Sequence, residues 1–278
     1  MSGALRIAAF AAVLALAFAG AAAAGGAIDP DVREEAEDMS TAEPHGAAAP
    51  HEADPIRGLA TAEAGLRVVV DDPELRRGRT EPLEFRIVDA RGATVRDFDV
   101  SHEKRMHLIL VRRDLTGFQH LHPELRGDGT WTADVRLADA GSYRMFADFS
   151  RGGEAHTLAS DLRVDGRADL GALPAPETSA TSDGGYDVAL DAHGSELRFT
   201  ITRDGEAVRT EPYLGAGGHL VTLREGDLAF LHVHPSDDAV AFEATFPTPG
   251  RYRLFLQFKT PDPPARVQTV AFTHEVAP

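Results

Sequence analysis

The stretch MHLILVRRDLTGFQHLHP, residues 106–123, returns later in the chain as GHLVTLREGDLAFLHVHP, residues 218–235. Each copy has a histidine at its second position, an apolar run, a polar turn and a final Phe-X-His-X-His-Pro. A repeat of this length predicts that the chain contains one domain twice. The three histidines have the same spacing in both copies: His107, His120 and His122 in the first, and His219, His232 and His234 in the second.

Short segments rich in Val, Ile, Phe and Tyr surround both copies, and Gly, Pro and Asp separate them. They show no sustained 3.6-residue period, so the pattern predicts strands rather than helices. A second pair of matching segments, GSYRMFADF (141–149) and GRYRLFLQF (250–258), follows the histidine motif in both copies. The sequence thus predicts an all-β fold of two tandem antiparallel β-sandwiches, Ig-like or cupredoxin-like, over residues 64–167 and 186–278, joined by a linker at 168–185.

The N-terminal part of the chain does not have the pattern of a folded domain. Residues 1–24 contain Arg6 and then an uncharged apolar run that ends in small residues, the layout of a signal peptide. The same run is about long enough to remain as a membrane anchor. Residues 25–63 are rich in Ala, Glu, Asp, Pro and Gly, which predicts a disordered acidic linker. We therefore expect an extracytoplasmic protein, either secreted or periplasmic, or tethered to the outer face of the membrane by an uncleaved N-terminal segment.

The chain has a formal net charge of -16 and contains no cysteine. The negative charge excludes nucleic acid as the expected partner, because phosphate binding needs a basic surface. The lack of cysteine excludes disulfides, thiolate metal sites and cysteine nucleophiles. Any metal ligands must therefore be histidine, carboxylate or methionine side chains.

The polar turn inside each motif predicts an antiparallel hairpin. In the second copy we expect a tight turn around Glu225-Gly226. His219 would then lie opposite His232, with His234 two residues further along. Alternation along a strand places all three side chains on one face, and the same reasoning applies to the first copy. Imidazoles grouped in this way suit a copper or zinc ion, so the six histidines are the predicted metal ligands, one triad in each domain.

The first copy offers further metal donors that the second copy lacks. His102 and Glu103 precede it in the segment SHEKRMH, and Met145 lies in the strand that follows. By contrast, we expect His45 and His51 in the acidic linker to be solvated tail residues.

Structural histidines are the alternative interpretation. The histidine face also carries apolar residues such as Ile109, Phe118 and Val221. The imidazoles would then continue an apolar row and bond to backbone carbonyls or to Tyr143 and Tyr252. Both interpretations stay open, because the sequence does not indicate whether this face meets solvent or a core.

The segments HEKRMHLILVRRDLTGFQHLHP and PYLGAGGHLVTLREGDLAFLHVHP resemble those of a family of exported, mostly uncharacterised bacterial proteins with duplicated motifs of this kind. The resemblance extends from about Leu66 to the C-terminus. It implies an extracytoplasmic role associated with heavy metals, copper in particular, and it implies no settled activity or ligand set.

These observations lead to one leading hypothesis and two rivals. The leading hypothesis is an exported, non-enzymatic protein that binds copper or zinc through one triad per domain, for buffering or delivery. The first rival is an Ig-like extracytoplasmic interaction or adhesion module whose histidines are structural. The second is a metal-dependent enzyme with an open three-histidine site, although the sequence contains no recognisable catalytic motif. The expected partners are a metal ion and an envelope or membrane protein, and the oligomeric state stays open.

Overall fold

The computed structural model describes residues 56–231, 233–236 and 240–277. The predicted signal or anchor segment and most of the predicted acidic linker lie outside the described residues, as do His45, His51 and His232. In the part of the chain that is described, no helix is long and apolar enough to cross a membrane.

The first domain is a sandwich of two sheets. One sheet has the strand order β1-β2-β4-β8-β7, and the other has the order β3-β10-β9-β5-β6. Pairing is antiparallel apart from that of β3 with β10. In chain order the strands are β1 (Ala62–Glu63), β2 (Leu66–Val70), β3 (Glu74–Leu75), β4 (Thr80–Asp89), β5 (His107–Arg112), β6 (Gln119–Leu121), β7 (Glu124–Leu125), β8 (Trp131–Arg136), β9 (Gly141–Arg151) and β10 (Glu154–Val164).

The second domain repeats this arrangement. One sheet has the order β11-β12-β13-β18-β17, with β14 also paired to β13, and the other has the order β16-β15-β19-β20. Its strands are β11 (Ser179–Thr181), β12 (Asp187–His193), β13 (Glu196–Arg203), β14 (Glu206–Ala207), β15 (His219–Arg224), β16 (Phe230–Leu231), β17 (Val233–Pro235), β18 (Ala241–Ala244), β19 (Gly250–Lys259) and β20 (Val267–Val276).

Each sandwich has its own apolar core, because side chains alternate between the two faces of a strand. In β4, Leu83, Phe85 and Ile87 point inward and are at most 1% exposed, and they belong to the core of the first sandwich. In the second sandwich, Phe199, which corresponds to Phe85, and Phe272 of β20 belong to a separate core.

The strand order of both sandwiches is that of an immunoglobulin-like fold. Named as in that fold, β2, β4, β8 and β7 form the A-B-E-D sheet, and β10, β9, β5 and β6 form the G-F-C-C′ sheet. Each F strand begins at a tyrosine corner, where Tyr143 Oη donates to Asp139 O at 3.0 Å and Tyr252 Oη donates to Thr248 O at 2.7 Å. The prediction of two tandem Ig-like sandwiches is therefore confirmed. Each tyrosine hydroxyl therefore donates to the backbone of its corner rather than to a histidine.

A third apolar core lies between the two domains. It contains Ile109 and Val111 of β5 together with Val221 and Leu223 of β15. These two strands are therefore covered on both faces, once by their own sandwich and once by the other domain. The face that carries the histidines meets neither solvent nor the interior of a sandwich; it forms the interface between the domains.

The interface between the domains is approximately two-fold symmetric. Phe118 and Phe230 occupy the same place in the two copies of the motif, and Phe146 and Phe255 occupy the same place in the strand that follows. The Phe118 ring stacks on Phe255 with centroids 4.1 Å apart, and the Phe146 ring lies 5.5 Å from Phe230. Equivalent residues thus exchange equivalent contacts, as in the interface of a symmetric dimer.

The segment before β1 crosses this interface and contacts both domains. Phe230 N donates to Arg57 O at 3.0 Å, and Gly58 N donates to Thr157 O at 3.1 Å. Gly58 has a φ of +71°, and a Cβ at this position would lie 2.8 Å from atoms of both Phe146 and Phe230. Only glycine fits here without a shift of the surrounding rings.

Phe255→Ala should lower the free energy of unfolding by about 3–5 kcal/mol, the usual cost of truncating a buried phenylalanine. Phe255 is 3% exposed, and its truncation leaves the Phe118 ring without its stacking partner. Urea unfolding, followed by circular dichroism, measures the change. Val267→Ala is the control, because Val267 is 42% exposed and surface substitutions stay within about 0.5 kcal/mol. Equal stability of the two variants would contradict a stabilising role of the interface.

Candidate metal centre

The β5–β6 and β15–β16 hairpins carry the histidine motifs, and their register differs from the predicted one by two residues. Ile109, rather than His107, lies opposite His120. In the second copy Thr222 pairs with Leu231. The second hairpin thus also differs by two residues from the predicted register, and the predicted partner of His219, residue 232, lies outside the described residues.

The turn of the second hairpin explains the shift. Arg224 N bonds to Ala229 O at 3.0 Å, so four residues rather than two form the loop. Gly226 and Leu228 have positive φ angles of 95° and 62°, and Asp227 forms an ion pair with Arg224 inside the loop. The predicted tight turn around residues 225–226 is wrong for this reason. A shift of two residues is even, so every side chain stays on the predicted face of its strand.

Four histidine rings converge at one end of the domain interface. The His107 centroid lies 5.2 Å from His120, 5.1 Å from His122 and 5.7 Å from His219. The His120 centroid lies 4.8 Å from those of His122 and His219. Ligating nitrogens of His107, His120 and His219 all lie within 4.8 Å of one another. His107 is buried and the other three residues are half-buried. These four residues are called the histidine cluster below.

The second copy of the motif does not form a triad of its own within the described residues. His219 joins the histidines of the first copy, while His234 is exposed on β17 and pairs with Glu243 in the other sheet of its sandwich. His232 lies outside the described residues. In the first copy β6 ends at Leu121, next to His122, and the chain joins the other sheet at Glu124, whereas in the second copy it has already joined the other sheet at Val233.

His107 and His120 form a chain of close polar contacts with an oxygen atom at each end. His107 Nε2 lies 3.2 Å from Ser101 O, and His107 Nδ1 lies 3.0 Å from His120 Nε2. His120 Nδ1 lies 2.6 Å from Gln257 Oε1, and the Gln257 amide nitrogen donates to Thr269 Oγ1 at 3.3 Å. Ser101 O and Gln257 Oε1 only accept hydrogen bonds, so both outer ring nitrogens must donate.

This row of hydrogen bonds lacks one proton when both histidine rings are neutral. The two inner nitrogens face each other, and a hydrogen bond between them requires a third N–H group. Two neutral imidazoles carry only two N–H groups, both already needed at the outer ends. With Gln257 Oε1 facing His120, either one ring becomes an imidazolium or a cation takes the place of the missing proton. With the amide turned over, Gln257 Nε2 donates to His120 Nδ1 and neutral rings complete the chain.

Burial opposes the imidazolium. Removal from water, together with the nearby His107 ring, lowers the pKa of His120 to about 3 and that of His122 to about 4. The pKa values of His107 and His219 are also lowered, again chiefly by burial. The cluster is therefore neutral at physiological pH and holds nitrogen lone pairs, which are the form of histidine that binds metals.

The spacing of the rings fits a single tetrahedral ion. For a metal–nitrogen bond of about 2.1 Å, two ligating nitrogens lie about 3.4 Å apart and two ring centroids about 5 Å apart. The inner nitrogens of His107 and His120 lie 3.0 Å apart, and the five centroid distances given above run from 4.8 to 5.7 Å. The buried His122 Nε2, which has no hydrogen-bond partner among the described residues, offers a further lone pair. The residues present therefore fit a copper or zinc ion.

The oxygen atoms around the cluster were not identified from the sequence. Besides Ser101 O, they belong to Asp148 and Gln257, which occupy the same place in the two matching segments at 141–149 and 250–258. Asp148 lies opposite His107, and Gln257 lies opposite His219. The Asp148 carboxylate favours positive charge on His107, since its field raises the pKa of that ring against the effect of burial. Both residues are polar in strand segments that are otherwise mostly apolar, and this pattern in the sequence could have indicated them.

The three additional metal donors predicted in the first copy lie outside the histidine cluster. Met145 is wrong as a ligand, because it pairs with Leu110 on the opposite side of the sheet and lies in the core of the first sandwich. Glu103 is exposed. His102 is also exposed, and its ring centroid lies 6.2 Å from those of both His107 and His219.

A sequence model of the family described as "Domain of unknown function (DUF8832)" matches residues 60–166 and again residues 180–278. Comparison with curated proteins finds no match.

Several solved structures have a distant similarity to the chain. A Salmonella alpha-2-macroglobulin reacted with methylamine is 14% identical with a TM-score of 0.29, over 80% of this chain and 15% of that one. The Escherichia coli adhesin FdeC is 13% identical with a TM-score of 0.25, over 77% of this chain and 64% of that one. The ICAM-5 D1–D4 ectodomain fragment is 15% identical with a TM-score of 0.26, over 78% of this chain and 48% of that one. The chain thus spans less than two thirds of the length of each of these structures.

Acid should destabilise the metal-free protein through the histidine cluster. The pKa of His122 is about 4 in the folded chain against the ordinary value of 6.5, so between these pH values the unfolded state binds more protons. The contribution of this histidine to the free energy of unfolding should therefore be complete above about pH 6.5 and decline as the pH falls toward 4. Urea unfolding at a series of pH values measures this decline.

Two variants test whether the cluster causes the decline. His122→Gln removes one buried ring and should make the pH dependence shallower. His193→Gln, at a histidine whose side chain is 78% exposed, should follow the wild-type profile. An identical profile for all three proteins would contradict the assignment.

Proposed function

This chain belongs to the DUF8832 family, with two copies of its domain, and we propose that the two copies together hold one copper or zinc ion in the histidine cluster between them. The ion binds the four imidazoles of His107, His120, His122 and His219. Imidazole nitrogen suits both of these metals, and four such ligands complete a tetrahedral set.

The observation that carries this proposal is the convergence of four imidazole rings between the domains, with nitrogens of His107, His120 and His219 within 4.8 Å of one another. A cation between His107 Nδ1 and His120 Nε2 takes the place of the missing proton. Both outer N–H groups can then donate to Ser101 O and Gln257 Oε1, which lie 3.2 Å and 2.6 Å away. Metal-bound histidines characteristically use their second nitrogen in this way, which fixes the orientation of the ring.

The function that follows is the holding of a metal, for buffering or delivery, rather than catalysis. Catalytic zinc sites keep one position open for water or substrate, whereas four protein ligands close the set. The ligands come from both domains, so the bound ion also links the two sandwiches. Part of the binding free energy would then stabilise the packing of one domain on the other.

We place this function outside the cytoplasm. The proposal rests on the signal-like pattern of residues 1–24. The rival function is an extracytoplasmic interaction module whose histidines only stabilise the interface. The apolar contacts around the cluster, such as Phe118 on Phe255, support that rival to the extent that they already hold the domains together.

Isothermal titration of the chain with Zn(II) and with Cu(II) should give one ion per chain, with a dissociation constant of about 1 µM or lower. His120→Gln should weaken binding by more than about 100-fold, because it removes a ligand and not only an outer partner. His234→Gln, at an exposed position in the other sheet, should bind like the wild type. Urea unfolding of both variants separates lost binding from lost folding.

The alternatives give different titrations. Two ions per chain, or loss of binding in His234→Gln, would indicate a separate triad in each domain. No binding by the wild type would favour the interaction module with structural histidines.

Gln257→Leu should weaken metal binding by about 10- to 100-fold, the usual effect of losing an outer partner of a metal ligand. Gln257 touches no metal in this proposal, and its effect acts through the His120 ring. Gln257→Glu should restore or strengthen binding, because a carboxylate accepts the same N–H group more strongly. Equal affinities for all three proteins would contradict the role assigned to the hydrogen-bond chain.

A further inference from the structure

His102 lies on a tight turn directly beside the histidine cluster. Ser101 N donates to Lys104 O at 2.8 Å, and Lys104 N donates to Ser101 O at 3.0 Å. Between them His102 and Glu103 have φ angles of 47° and 65°. Two consecutive positive φ angles define a type I′ turn, which ordinarily takes Asn or Gly.

This turn connects the cluster to the protein surface. Its first residue supplies the carbonyl oxygen that faces His107 Nε2 at 3.2 Å. Its second residue is the exposed His102, whose ring centroid lies 6.2 Å from those of both His107 and His219. One imidazole is thus accessible to solvent and adjacent to one ring of each domain.

The His102 ring lies slightly too far from the cluster to coordinate the same ion in this conformation. Rings bound to one tetrahedral ion have centroids about 5 Å apart. The distances inside the cluster run from 4.8 to 5.7 Å, and the 6.2 Å of His102 is longer than all of them. A rotation of the His102 side chain can close a difference of this size. Exposed side chains change rotamer within nanoseconds.

We propose that His102 is the access ligand of the cluster: it takes a copper or zinc ion from solvent or from a labile chelate and passes it to His107 and His219. This inference rests on the proposed function of the cluster. In the first step a His102 nitrogen binds the ion as a water or chelate ligand leaves. In the second step a cluster nitrogen binds as the His102 nitrogen leaves. The oxidation state does not change, and any proton on His102 is released to water.

The rate of metal uptake tests this inference separately from the affinity. Co(II) is the probe, because its visible absorption reports tetrahedral coordination, and the full chain is mixed with Co(II) in a stopped-flow instrument. His102→Asn removes the imidazole but keeps the turn, since Asn tolerates positive φ. His193→Asn is the control at an exposed histidine whose contact is Asp191.

In His102→Asn the rates of Co(II) uptake and of release to a chelator should both fall, each by about tenfold, the lower end of what loss of an outer group costs a metal site. The dissociation constant should change much less, because an access ligand accelerates metal uptake and metal release by the same factor. His193→Asn should match the wild type in both rates.

Three results would overturn the inference. Unchanged rates in His102→Asn would show that the ion reaches the cluster without this side chain. A large loss of affinity with an unchanged uptake rate would make His102 a permanent ligand instead. Failure of the wild-type chain to take up Co(II), Zn(II) or Cu(II) at all would refute the proposed function, and this inference with it.

Discussion

The packing of the β5 sheet against the β15 sheet is the contact on which the rest of the structure depends. Each sandwich has its own core, but each also has an apolar outer face on the sheet that carries the histidine motif. An exposed patch of this kind would be unfavourable in water, and the two domains bury it against each other. The same contact brings His219 of the second domain to the three histidines of the first.

The interface is nearly symmetric in its apolar part and asymmetric in its polar part. The two phenylalanine pairs exchange equivalent positions, whereas the histidine cluster takes three rings from the first domain and one, within the described residues, from the second. The cause lies in the backbone, because the second copy changes sheets before His234 and the first copy does so only after His122. Gln257, where the first domain has Asp148, adds a neutral acceptor for His120.

Burial and hydrogen bonding make opposite demands on the cluster, and the proposed ion reconciles them. With the Gln257 amide oxygen facing His120, the hydrogen-bond chain from Ser101 to Gln257 requires one more positive charge than neutral imidazoles provide. Burial lowers the pKa values of the rings and so disfavours a proton as the source of that charge. A bound divalent cation provides the charge without protonating any ring, and its ligands come from both domains, so metal binding and domain packing would support each other.

The sequence by itself determined the all-β class, the duplication and the face of the strand on which the histidines lie. These features depend on local alternation and on a repeated pattern, both of which can be followed along the chain. Only the tertiary structure decided the hairpin register, which depends on the conformation of a four-residue loop, and the composition of the cluster. His120 and Gln257 lie 137 positions apart and meet only because the two domains pack face to face. No local pattern encodes that contact, since it results from burying two distant apolar surfaces at once.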